Sequence, residues 1–112
     1  MRLVFAALLL LGGIAPALAA EKALNIPSDP NARFAVLEVG GDWPNRTIVT
    51  RRTGPSGTSY SKRLYDCAAM TVKYLGSGDT LAQMDASPPD PRMGPIVAGS
   101  IADYVGREAC RR

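Results

Sequence analysis

Two cysteines constrain this chain more than any other feature: Cys67 in "RLYDCAAM", and Cys110 at the end of "GSIADYVGREAC". Their meaning depends on compartment, and the first twenty residues indicate one. Arg2 is a one-charge n-region, Leu3 to Ala15 is an uncharged apolar run, and Pro16 breaks it. Ala17 and Ala19 then supply the small residues of an A-x-A cleavage site, so residues 1–19 are expected to be a signal peptide and the mature chain to begin at Ala20. Leu3 to Ala20 is near the lower length limit for a membrane span. Gly12, Gly13, Pro16 and the small residues at the cut favour a removable signal instead. No second long apolar run follows and no cysteine stands just after the cut, so neither a stable membrane anchor nor a lipid attachment is expected. The expected location is periplasmic or secreted.

In an oxidising compartment an even cysteine count reads as a disulfide framework, and two cysteines allow one intramolecular pairing, Cys67–Cys110. Closing a loop of about 40 residues is worth roughly 4 kcal/mol in the chain-entropy account. A zinc site needs about four ligands, and the chain has no histidine to supply them. There is no C-x-x-C, so a thioredoxin-like exchange centre is not expected. A structural tie is the expectation.

The mature chain is one small domain, with an N-terminal arm over 20–31 and a β-rich body over 32–112. "AEKALNIPSDPN" carries Pro27 and Pro30 and reads as an arm or leading loop. "ARFAVLEV", "RTIVTRR", "TSYSKRLYDC" and "AAMTVKYLG" read as strands, separated by turn chemistry at 40–45, 53–57 and 76–79. In the last of them Met70, Val72 and Tyr74 alternate with Thr71 and Lys73, the period of a half-buried strand. "TLAQMDA", Thr80 to Ala86, alternates more weakly. Turns so closely spaced leave no room for crossover helices, which take a dozen or more residues, so the strands are expected to be antiparallel. "SPPDPRMGP" holds four prolines in nine residues and is expected to be a stiff connector, neither helix nor central strand.

A C-terminal helix follows. Ser100 is a natural N-cap with Asp103 three residues on. Ile101, Tyr104, Val105 and Glu108 share one face. A helix of about ten residues does not persist alone in water, and Gly106 weakens it by about 1 kcal/mol relative to alanine. Gly106 either lets the helix lie close to the sheet or is a tolerated cost. A weak terminal helix needs packing and a covalent tie, which explains the position of Cys110. The fold class expected is α+β: an antiparallel sheet of four to six strands with a C-terminal helix packed on it and tied by Cys67–Cys110.

The absence of histidine removes the commonest general base, the Ser-His-Asp triad and the Cys-His pair. No glycine loop stands in a strand–GxxxxGK[ST]–helix context. Asp85 and Asp90 flank a proline run and read as solvated loop acids rather than a catalytic pair. No enzyme activity and no cofactor are expected. The net charge of +3 falls by one with the loss of Arg2. The basic pairs at 51–52, 62–63 and 111–112 read as solvated surface, and nucleic acid is not an expected partner. Trp43, at the turn "GGDWPN", is either an exposed contact residue or a cap folded back on the core.

"YSKRLYDC", a proline-rich segment and "PIVAGSIADYVGREAC" together resemble the surface-adhesin protein E family of Gram-negative bacteria. The matching positions are Ser61, Asp66 and Cys67 in one strand, Ile96 to Ser100 in part for a P-x-x-G-S lead into the last helix, and Cys110. The resemblance covers Tyr60 to Cys110 most specifically. It implies an antiparallel sheet with a disulfide-tethered helix. The best-known member is a lipid-anchored adhesin for host matrix proteins, whereas this chain lacks the lipid-attachment cysteine and has Gly94 where many members carry tryptophan. The functional expectation is an exported, non-catalytic envelope protein that binds a protein ligand or envelope component. The alternative is a periplasmic inhibitor of an envelope enzyme such as lysozyme, with the loop "TGPSGTS" entering the enzyme cleft.

Overall fold

A computed structural model describes residues 21–112; the expected signal peptide and the expected start at Ala20 lie outside the described residues. Six strands run in sequence order: β1 Lys22–Leu24, β2 Arg33–Gly40, β3 Asn45–Gly54, β4 Gly57–Asp66, β5 Thr71–Gly78 and β6 Gly94–Pro95. Each pairs antiparallel with the next, so the sheet is a simple meander. Helix α1 spans Leu81–Ala86, and helix α2 spans Ile101–Ala109. The expected α+β class and antiparallel sheet are what the chain forms.

Three expectations need correction. The N-terminal arm is not all loop, because Lys22–Leu24 adds β1 to the edge of β2. The weakly alternating "TLAQMDA" is helix α1, capped by Thr80, whose hydroxyl accepts from the Gln83 amide at 3.0 Å. Met70, Val72 and Tyr74 do not form one buried stripe. Met70 belongs to the preceding turn with φ 59°, and Tyr74 is 42 % exposed. The proline-rich connector does lack helix, and its last residues, Gly94–Pro95, pair with Thr71 and Val72 at the sheet edge. Proline is tolerated there because an edge strand has one side free of ladder bonds.

The core lies on one face of the sheet. Phe34 and Val36 from β2, Ile48 from β3 and Tyr65 from β4 meet Ile26 from the β1–β2 loop and Val105 and Ala109 from α2. The helix stripe read from spacing holds: Val105 is fully buried, and Ile101 and Tyr104 pack against the core. Helix α1 packs on the opposite face near β5. Gly76 is buried there, and any side chain at that position would run into the Met84 carbonyl.

Gly106 is required for close approach. A β-carbon there would stand 2.6 Å from Cε1 of Tyr65. The ring cannot retreat easily: Tyr65 is fully buried, and its hydroxyl donates to the Ala102 carbonyl at 2.6 Å. Gly106→Ala should therefore destabilise the domain, although it gains about 1 kcal/mol of helix propensity, because overpacking costs typically about 1–3 kcal/mol. A urea titration that finds the variant more stable would show that the ring yields.

The helix is held at several points besides Cys110. Ser100 caps it, accepting from the Asp103 amide at 3.1 Å, while Asp103 accepts from the Gly99 amide at 2.8 Å. Arg46 Nε donates to the Ala109 carbonyl at 3.0 Å, and Lys22 pairs with Glu108 at 2.7 Å. The Gly99 amide, then Arg107, holds the Asp103 carboxyl below its ordinary range; Lys22, then Arg111, does the same for Glu108. Arg52 beside Asp29 and Arg51 beside Glu21 lower those two carboxyls as well. A lowered folded-state pKa gives stability that is present above the ordinary carboxylate range, near pH 4, and lost as pH falls toward the folded values. The midpoint of denaturation should accordingly drop below about pH 4, with amides of Ile101–Ala109 exchanging early because two of the four carboxylates sit on α2. A flat profile from pH 6 to pH 2.5 would contradict this.

Candidate functional site: the disulfide end of the sheet

Two turns and the end of α2 converge at one end of the sheet. The β4–β5 turn is organised by Asp66, whose Oδ1 accepts from the Ala68 and Ala69 amides at 3.0 and 2.9 Å. Its backbone carbonyl accepts from the Met70 amide at 2.8 Å. The β2–β3 turn opens with Gly41 at φ 82°, a conformation open to glycine but costly for most residues. Asn45 closes the turn, donating its amide to the Asp42 carbonyl at 2.7 Å. The Cys67 amide donates to the Pro44 carbonyl at 2.7 Å, so the two turns are joined directly. Cys67 and Cys110 form the disulfide, with Cα atoms 5.6 Å apart, and this brings the end of α2 to the same place.

Trp43, which the sequence leaves open between an exposed contact and a cap on the core, lies on this end and is 40 % exposed. It does not fold into the core. The Arg112 guanidinium lies over its ring, 3.4 Å from the centroid, a cation–π arrangement. Met70 is 54 % exposed on the joined turn, and Val39 is exposed at the end of β2. Tryptophan and arginine are enriched among residues that dominate protein–protein contacts, and methionine adapts its shape to different surfaces. The arrangement offers an aromatic, cationic and apolar contact surface on turns that a disulfide holds in place.

Of the other residues singled out by sequence, Ser100 and Asp103 cap α2 and face no common centre with Trp43. Asp85 and Asp90 are both exposed, on α1 and in the connector. Among the described residues no group of three His, Cys, Asp or Glu side chains is placed to hold a metal ion. An open groove of about 450 Å³ lies against the β1–β2 connection, lined by residues including Leu24, Ile26, Pro30 and Phe34.

The basic pairs are not all solvated. Arg51 and Arg52 sit in ion pairs with Glu21 and Asp29, at 2.6 and 2.7 Å. Arg63 is only 5 % exposed. Its Nη1 donates to Thr50 Oγ1 at 3.3 Å and its Nη2 to the Tyr74 hydroxyl at 3.0 Å, and it stacks over the Tyr74 ring at 4.8 Å from the centroid. In sequence, "KR" at 62–63 looked like surface because two adjacent strand residues must point to opposite faces, and nothing in the pair says which points inward.

These features define a small domain made of a disulfide-tied antiparallel meander and one terminal helix. The chain matches no family model, no curated protein and no solved structure.

Proposed function

We propose that this chain is an exported, non-catalytic binding protein of a Gram-negative envelope, adhesin-like in the sense of the surface-adhesin protein E family that the segment Tyr60 to Cys110 resembles. The observation that carries the reading is the exposed Trp43, stacked by Arg112 on a turn fixed beside the Cys67–Cys110 bond. The disulfide fits an oxidising compartment, and no helix among the described residues is long and apolar enough to cross a membrane. The periplasm or the cell exterior is the proposed location, after cleavage between Ala19 and Ala20. Protein recovered from the envelope should then have a mass lacking residues 1–19.

The binding test compares the mature protein with Trp43→Ala and Met70→Ser, both at exposed positions. Envelope or matrix components retained by the wild type should be released by these variants while the midpoint of unfolding stays in place. Equal retention by all three would remove this surface from consideration. A second reading, an inhibitor of an envelope enzyme such as lysozyme, draws support from the β3–β4 hairpin. Its two strands are ten residues each, and its tip, Pro55 and Ser56, is exposed. Most of "TGPSGTS" is strand rather than loop, so a narrow two-residue tip would enter the cleft. Absence of inhibition across a lysozyme panel at micromolar protein would dispose of that reading.

A further inference from the structure

Arg63 is a buried cation for which this chain supplies no counter-ion. A guanidinium keeps its charge in any folded protein and carries five N–H donors in a fixed fork. Burying such a charge is costly unless it is paired with an opposite charge and its donors are satisfied. Every Asp and Glu of the sequence lies within the described residues 21–112, and none is within ion-pair distance of Arg63. Its two hydrogen-bond partners, Thr50 and Tyr74, are neutral. Arg51 and Arg52 show the contrast: both have carboxylates although they are far more exposed, while the part-buried Arg46 donates to two backbone carbonyls.

The surroundings are those of a binding position rather than of a defect in the core. Cross-strand partners share a face, so Thr50 is opposite Ser61, Arg63 is opposite Tyr74, and Ser61 is opposite Ser77. The guanidinium thus stands in a patch of hydroxyl groups on the face that α2 covers only in part. Tyr74 is both partner and cover. Its hydroxyl accepts from Arg63, its ring lies against the guanidinium, and its own outer side is exposed. Tyr74 is thus the exposed side chain through which this buried arginine meets the surface.

We propose that Arg63, with the hydroxyls of Thr50 and Tyr74, forms a site for a carboxylate group. One guanidinium carries one positive charge, which matches a monoanion, and its fork suits two-point pairing with the two oxygens of a carboxylate. The carboxylate belongs either to a small free acid or to an acidic side chain or chain terminus of a peptide. The site is separate from the Trp43 surface and does not depend on it.

Sodium acetate and a short Asp- and Glu-containing peptide are the two probes, titrated at constant ionic strength against sodium chloride. Acetate should bring saturable shifts to the Arg63 Nε–H signal in side-chain ¹⁵N spectra. At ten times its dissociation constant it should also lower the unfolding constant about tenfold. Arg63→Met keeps an unbranched apolar stem and removes the charge. It should lose the acetate-specific part of the stabilisation, while Tyr74→Phe, which frees one arginine donor, should bind acetate with altered affinity. Saturation by the peptide at concentrations at which acetate has no effect would assign the site to a macromolecular partner; saturation by acetate alone would assign it to a small acid. The proposal is overturned if the Arg63 Nε–H signal in the wild type responds equally to chloride and to both probes, or to none of them. That spectrum needs no variant, so a misfolded Arg63→Met does not protect the idea.

Discussion

Cys110→Ser should cost about 4 kcal/mol, the chain-entropy value for a bridge spanning 43 residues. That is a large fraction of the stability of about 5–15 kcal/mol typical of a single domain. The loss should not be spread evenly. The sheet keeps its ladder bonds and most of its side-chain packing, whereas α2 loses its only covalent hold. Its nine residues are too few to persist by themselves. Besides the packing of Val105 and Ala109, its remaining fasteners, Arg46 on the Ala109 carbonyl, Lys22 on Glu108 and the Tyr65 hydroxyl on the Ala102 carbonyl, are each single polar contacts. Amide exchange over Ile101–Ala109 should accelerate more than exchange at Val72 in β5. Equal acceleration in both would mean that helix and sheet open as one unit. Free-thiol titration of the oxidised wild type should find none, because both cysteines are bridged.

Tyr65→Ala should be equally severe. The side chain is fully buried and lies directly beneath Gly106, so its removal opens a cavity between sheet and helix that neither backbone can fill. Truncating a large buried aromatic costs about 3–5 kcal/mol. Tyr65→Phe separates the ring from the hydroxyl. It keeps the packing and loses one hydrogen bond, a change of about 1 kcal/mol. Thermal or urea denaturation of the two variants should show this ordering, and a larger loss in Phe than in Ala would contradict it. The hydroxyl also predicts alkaline behaviour. Burial pushes its pKa well above the ordinary tyrosine value, against a smaller opposing influence from Arg63. The native state then keeps a proton that the unfolded chain releases, so stability should decline as pH rises past about 10.

Much of this architecture is legible in the amino-acid sequence, and particular residues show why. The turns at 40–45 and 53–57 announce themselves through glycine, proline and asparagine, with β3 between them and β2 and β4 on either side. Ser100 and Asp103 announce α2 because capping is a local arrangement of neighbours in sequence. β1 escaped notice because three residues of mixed polarity have no period, and β1 forms only through pairing with β2. Helix α1 was misread because six residues make less than two turns, too short to separate helical from alternating spacing. A signal was nevertheless present in Thr80 and Gln83, an N-cap and the residue three positions later. The stripe through Met70 and Tyr74 failed for another local reason. Met70 lies outside the strand, in the β4–β5 turn at φ 59°, and Tyr74, although in register opposite Arg63, keeps its outer side exposed. Arg63 is not legible as a buried cation because its neighbours are Thr50 on β3 and Tyr74 on β5, which no window along β4 contains.

The order of pairing in the sheet has a consequence for how the chain reaches its final form. Every strand finds its partner next to it in sequence, with no crossover, so the strand contacts are local, the kind associated with fast folding. The meander can zip together hairpin by hairpin before α2 forms. Cys67 would then wait at the end of a finished hairpin, on a turn already organised by Asp66, for a thiol 43 residues downstream. Oxidation in this sequence of events seals an assembled sheet rather than guiding its assembly. It also leaves an interval in which the Cys67 thiol is open to exchange with other thiols and disulfides.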